Sequence, residues 1–104
     1  METRVTHKKG CVHISGEMTI HAAASLQQDL LAVLGRHRSA SKLDLSEVSE
    51  FDTAGLQLLL SARRLAAAHG RELQLVEPSK SVHAALTLCQ LSALLPTPAA
   101  ERAG

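Results

Sequence analysis

In the stretch Asp44-Leu-Ser-Glu-Val-Ser-Glu-Phe-Asp-Thr-Ala-Gly-Leu56, which runs on into Gln57-Leu-Leu-Leu60, the hydrophobic period changes. Leu43 and Leu45 alternate with Asp44 and Ser46, as expected of a strand with one covered face. Val48 and Phe51 are expected to hold a turn against the core. From Asp52 the spacing is helical: Leu56, Leu59, Leu60 and Ala67 recur on one side, and His69-Gly70 supplies a stop signal. A short buried strand, a turn and a helix over 53–69 are therefore predicted.

Asp52 occupies the position of a helix cap, where its carboxylate can accept bonds from the unpaired N–H groups of the first turn. Gly55 is a costly residue for a first helical turn, by about 1 kcal/mol relative to Ala. Its use is room, either for a close contact between helix and strand inside the domain or for another chain approaching the backbone.

Working outward, Val5 to His7 reads as a first short strand and Lys8-Lys9-Gly10 as a turn. Cys11 to Gly16 alternates with Val12 and Ile14 on one side, and Gly16 to Ile20 follows as a further extended piece. From about Ala22 to Arg38, Leu26, Leu30, Val33, Leu34 and His37 fall at helical spacing, with Arg36, His37 and Arg38 complementing the dipole of the last turn. Beyond Gly70, Arg71 to Val76 reads as a strand with Leu73 and Leu75 facing one way. Ser79 or Ser81 can cap a last helix carrying Val82, Ala85, Leu86 and Cys89. Leu91 to Leu95 are expected to fold back on the domain, and 96–104 to form a flexible tail. The alternation of strand and helix predicts crossover connections between parallel strands, after a first antiparallel pair.

The chain has 104 residues, enough for one domain, placed at 1–95. A net charge of +1 gives no reason to expect nucleic acid or an anionic membrane as partner, and the single aromatic residue, Phe51, excludes a base-stacking platform. No apolar run approaches the roughly 20 residues needed to span a bilayer, and Met1 to Arg4 carry no signal-peptide core, so a cytoplasmic location is expected. Cys11 and Cys89 lack CxxC spacing and are read as reduced thiols, Cys89 as a small buried hydrophobe on a helix. The six histidines show no H-x-x-x-H spacing, and neither a nucleophile elbow nor a Walker A loop is present. No enzymatic activity, metal or cofactor is expected on these grounds.

Leu43-Asp-Leu-Ser46, Val48, Phe51-Asp-Thr-Ala-Gly-Leu56 and the Leu-rich helix after them resemble the signature segment of STAS domains, and the resemblance extends over nearly the whole chain. It implies an α/β fold, with a mixed sheet of four to five strands and helices packed mainly on one face. STAS domains include bacterial anti-sigma factor antagonists, tails of sulfate transporters, and a small subunit of a phospholipid-trafficking ABC transporter. In the antagonists the segment reads Asp-Ser-Ser-Gly-Leu, and the second Ser is phosphorylated by a partner kinase. That position is Ala54 here, so the usual switch is missing. Thr53 matches the first Ser and is the candidate phosphoacceptor, with the helix N-terminus favouring a phosphate and Asp52 opposing it. Asp-Thr-Ala-Gly-Leu is similar to the form in the lipid-transporter subunit and in STAS proteins encoded beside chemotaxis systems.

The resemblance points to a protein-interaction surface comprising Asp52, Thr53, Ala54, Gly55 and Gln57, with Ser49 and Glu50 beside them. Its implied partner is an anti-sigma factor or kinase-like regulator in bacterial signalling, or alternatively the ATPase of a lipid-transporting ABC system.

Overall fold

The computed structural model describes residues 3–95. Its elements are β1 (Arg4–Lys8), β2 (Cys11–Met18), α1 (Ala23–Arg36), β3 (Lys42–Phe51), α2 (Thr53–Ala68), β4 (Gln74–Val76) and α3 (Lys80–Leu88), followed by a 3-10 turn at Ser92–Leu94. The tail expected at 96–104 lies outside the described residues.

The four strands lie in chain order, β1-β2-β3-β4. β1 and β2 are antiparallel and joined by a two-residue turn in which both Lys9 (φ 50°) and Gly10 (φ 77°) are left-handed. This is the twist that matches a tight hairpin, and Gly10 supplies one of its two positive φ values without steric cost. β2 with β3, and β3 with β4, are parallel, and each of these pairs is bridged by a helix, α1 and then α2. The result is the mixed sheet implied by the STAS resemblance.

One sheet face carries Val12, Ile14 and Met18 from β2, Leu43, Leu45 and Val48 from β3, and Leu75 from β4, all buried. Leu26, Leu30, Val33 and Leu34 of α1, Leu58, Leu59, Ala62 and Ala66 of α2, and Val82 and Leu86 of α3 complete a single core over that face. Leu91, Leu94 and Leu95 pack against its margin as expected. The opposite face carries the alternate residues, Cys11, His13 and Ser15 of β2 and Asp44 of β3, none of them fully buried.

Five sequence expectations need correction. The anticipated turn after Ser46 is absent, because β3 continues to Phe51. The extra residues are absorbed by two register shifts: His13 faces Asp44 while Ser15 faces Glu47, and Gly16 faces Val48 while Glu17 faces Glu50. β2 likewise runs unbroken to Met18, and Ile20 lies outside it, 68% exposed.

In α2 the buried side is Gly55, Leu58, Leu59, Ala62 and Ala66, whereas Leu56 and Leu60 are half-buried and Ala67 is exposed. A helix with leucine at 56 and again at 58–60 has apolar residues on several sides, and α1 and β3, which flank it, select which side is covered. Cys89 is exposed, because α3 ends at Leu88 and Cys89 is its cap residue, beyond the last buried position at Leu86. Finally, β4 spans only Gln74–Val76, although Leu73 and Leu75 are both buried as predicted.

Candidate functional site

The start of α2 is built by a carboxylate with three backbone partners. Asp52 is extended (φ −126°, ψ −168°), and its Oδ1 accepts from the N–H groups of Ala54 (2.9 Å) and Gly55 (3.2 Å). Its Oδ2 accepts from the N–H of Ile20 at 3.0 Å, in the loop between β2 and α1. The Asp52 N–H in turn donates to the Met18 carbonyl at 3.3 Å. The Ile20 N–H foremost, with those of Gly55 and Ala54 adding to it, holds the Asp52 carboxyl below its ordinary range against the opposing effect of burial.

Gly55 is buried, and the space its missing side chain leaves is already filled within the domain. A Cβ placed there would collide with the Met18 carbonyl oxygen and come within 3.0 Å of Met18 Cβ and of a ring carbon of Phe51. Of its two readings, the internal helix-to-strand contact is the one observed, and the helix propensity surrendered at Gly55 gains close packing of α2 on β2.

Thr53 and Gln57 are exposed and Ala54 is half-buried. Together with Ile20, Ala23, Ala24, Gln27, Leu58 and Ser61, these three residues line an open, largely apolar groove of about 630 Å³ between the first turns of α1 and α2. Ser49 and Glu50 are not part of it. Glu50 lines a separate depression with Phe51, Ser81, Ala84, Ala85 and Leu88, and the Ser49 carbonyl accepts a 2.9 Å bond from the Ser81 hydroxyl of α3. The expected surface is thus divided between two sides of the β3–α2 junction. The α1 contribution was not anticipated from sequence. Its signal is Ile20, a large apolar residue just outside a strand, followed by the small residues Ala22 to Ala24.

The groove offers apolar area, the small side chain of Ala54, and the polar groups of Thr53, Gln57, Gln27 and Ser61. Among the described residues, no helix is long and apolar enough to cross a membrane.

Similar folds occur among solved structures. A Thermotoga maritima protein assigned as an anti-sigma factor antagonist superimposes with a TM-score of 0.72 at 19% identity, covering 96% of this chain and 91% of that one. The Bacillus anti-sigma factor antagonist SpoIIAA in its unphosphorylated form gives 0.68 at 18% identity, with 96% and 92% covered. An anti-sigma factor antagonist from Mycobacterium paratuberculosis gives 0.68 at 27% identity, with 91% and 82% covered. Comparison with curated proteins gives no match. The family described as "Mlab, STAS domain" matches residues 1–96, nearly the full chain, and the sheet order and signature helix agree with it: the chain belongs to the STAS domain family.

Proposed function

We propose that this STAS domain is a non-enzymatic, cytoplasmic signalling adaptor of the anti-sigma factor antagonist kind, which binds a regulatory protein through the groove at the start of α2. The observation that carries this reading is the exposed Thr53 and Gln57 beside the half-buried Ala54 on a groove with an apolar wall, in a domain with the fold of anti-sigma factor antagonists. Small residues let a partner approach the helix closely, and Ile20 adds a large apolar contact at its edge. Ala54 has no hydroxyl, so binding is constitutive at the position where the resemblance implies phosphoserine. Control, where it operates, acts at Thr53.

A second reading is supported by the resemblance of Asp52-Thr-Ala-Gly-Leu56 to the lipid-transporter form. In it the same groove docks on the ATPase of an ABC transporter.

Affinity capture from the native host, with wild type and the Thr53→Glu and Gln57→Arg variants, tests both. Each change lies on an exposed side chain and should leave the fold intact by circular dichroism. Capture of an anti-sigma factor or ATP-binding kinase, lost in the variants, is the expected result. Capture of a transporter ATPase with the same sensitivity would establish the second reading. A specific partner indifferent to both substitutions would overturn this choice of surface.

A further inference from the structure

The face of the sheet turned away from the helices holds a cluster that spacing along the chain does not reveal. Cys11 and His13 are two residues apart on β2 and therefore project to the same side, opposite to the buried Val12 and Ile14. The parallel register sets His13 directly opposite Asp44 of β3. Cys11, His13 and Asp44 each offer one ligand atom, and these atoms all lie within 4.8 Å of one another. All three residues are half-buried, which gives the cluster a protein floor and leaves one side open to solvent.

From this arrangement we propose that Cys11, His13 and Asp44 form a three-ligand site for a zinc-like divalent cation, with a fourth position open to water or an incoming ligand. His13 Nδ1 and Asp44 Oδ2 are 3.2 Å apart. Zinc bonds to nitrogen and oxygen of about 2.0–2.1 Å at tetrahedral angles place two such ligands about 3.3 Å apart, and a thiolate at about 2.3 Å stands about 3.6 Å from either. The nitrogen and oxygen are thus already at the edge length of the polyhedron, and the thiol, no more than 4.8 Å from either, has to close by at most about 1.2 Å to complete the triangle.

Asp44 is also pre-oriented for this role. Its Oδ1 accepts from the Ser46 N–H at 2.8 Å, which fixes the carboxylate and leaves Oδ2 for the metal. The donor set of one thiolate, one imidazole and one carboxylate suits zinc and excludes calcium and magnesium, which require oxygen throughout.

The charges balance. Cys11 ligates as its thiolate, so that one thiolate and one carboxylate neutralise the two positive charges of the ion. The exposed Lys8 and Lys42, which pair with Cys11 in the two flanking ladders, keep the surroundings from being acidic. The site is therefore selective through its ligands and not a diffuse cation sink. It lies on the face opposite the α2 groove and does not depend on the partner proposed for that groove.

Cobalt(II) titration of the reduced full chain tests the site, with Cys11→Ser, His13→Gln and, as control for the exposed second thiol, Cys89→Ser. The expected result is saturation at one cobalt per chain, with the visible absorption of tetrahedral cobalt and a near-ultraviolet thiolate-to-cobalt band, both abolished by added zinc. Cys11→Ser should lose the thiolate band, and both it and His13→Gln should weaken binding at least tenfold, since even outer-sphere partners of metal ligands are worth 10- to 100-fold. Cys89→Ser should behave as wild type. Zinc should also raise the thermal midpoint of wild type and Cys89→Ser but not of Cys11→Ser. A thiolate band that survives Cys11→Ser, or no saturable cobalt absorption in the wild type, would overturn the assignment.

Discussion

The Asp52 carboxylate joins two loops that are remote in sequence: while Oδ1 caps α2, Oδ2 holds the backbone N–H of Ile20 at 3.0 Å. One side chain thereby sets both walls of the groove, Thr53 and Ala54 on α2 and Ile20 ahead of α1.

Asp52→Ala should lower stability by about 2 kcal/mol, since it removes the cap and leaves the Ile20 N–H without its charged acceptor. Asp52→Asn keeps the cap oxygen but turns an amide donor toward Ile20, so about half that loss is expected. Urea unfolding of the three proteins measures both.

The same carboxylate has a folded pKa below its unfolded value of about 3.9, so the stability it contributes is complete above that value and is lost as pH falls through the folded one. The acid limb of the stability curve should flatten in Asp52→Asn.

Gly55→Ala should destabilise the domain by about 2 kcal/mol even though alanine is the better helix former. The added methyl meets the Met18 carbonyl and the Phe51 ring, and overpacking outweighs a propensity gain of about 1 kcal/mol. Thr53→Ala, one turn position away but exposed, should change stability by less than about 0.5 kcal/mol. Comparing the two thermal midpoints isolates the close approach from any general effect at the helix start.

Arg71 ties the end of α1 to the approach of β4: its Nε donates to the Ala40 carbonyl at 2.6 Å and one terminal nitrogen to the Leu34 carbonyl at 3.5 Å. A lysine cannot reproduce this fork, so Arg71→Lys should cost about 1 kcal/mol and Arg71→Ala about 2 kcal/mol in urea unfolding.

The rings of His7 on β1 and His37 at the end of α1 stack with centroids 3.7 Å apart and an 8° interplanar angle. Partial desolvation, and then the charges of His37 and His13, lower the pKa of His7 from its ordinary 6.5. A base with a lowered folded pKa contributes stability above its unfolded value, and that contribution disappears as pH falls through the folded one. NMR titration should place the His7 midpoint below 6.5, and His37→Gln should raise it.

The fold class was legible because its signals are local. Period-two alternation at Val12 and Ile14 and at Leu43 and Leu45, helical spacing from Leu26 to Leu34, a turn at Lys8-Lys9-Gly10 and the Asp52 cap each follow from a few neighbouring residues. With the family resemblance, these elements also pointed to Thr53 and its neighbours.

The remainder depended on contacts between segments distant in the chain. Which side of α2 is buried was decided by what α1 and β3 place against a helix that is apolar on more than one side. Whether Gly55 made room for a partner or for Met18 was decided by the end of β2, and Ile20 joined the groove only because Asp52 reaches back to it. Composition and period determine which elements form and which residues are able to be inside. Register between strands decides which side chains meet, as where β2 beside β3 brings His13 to Asp44, because hydrogen-bonded pairing across a sheet is a relation between segments that neither segment carries alone.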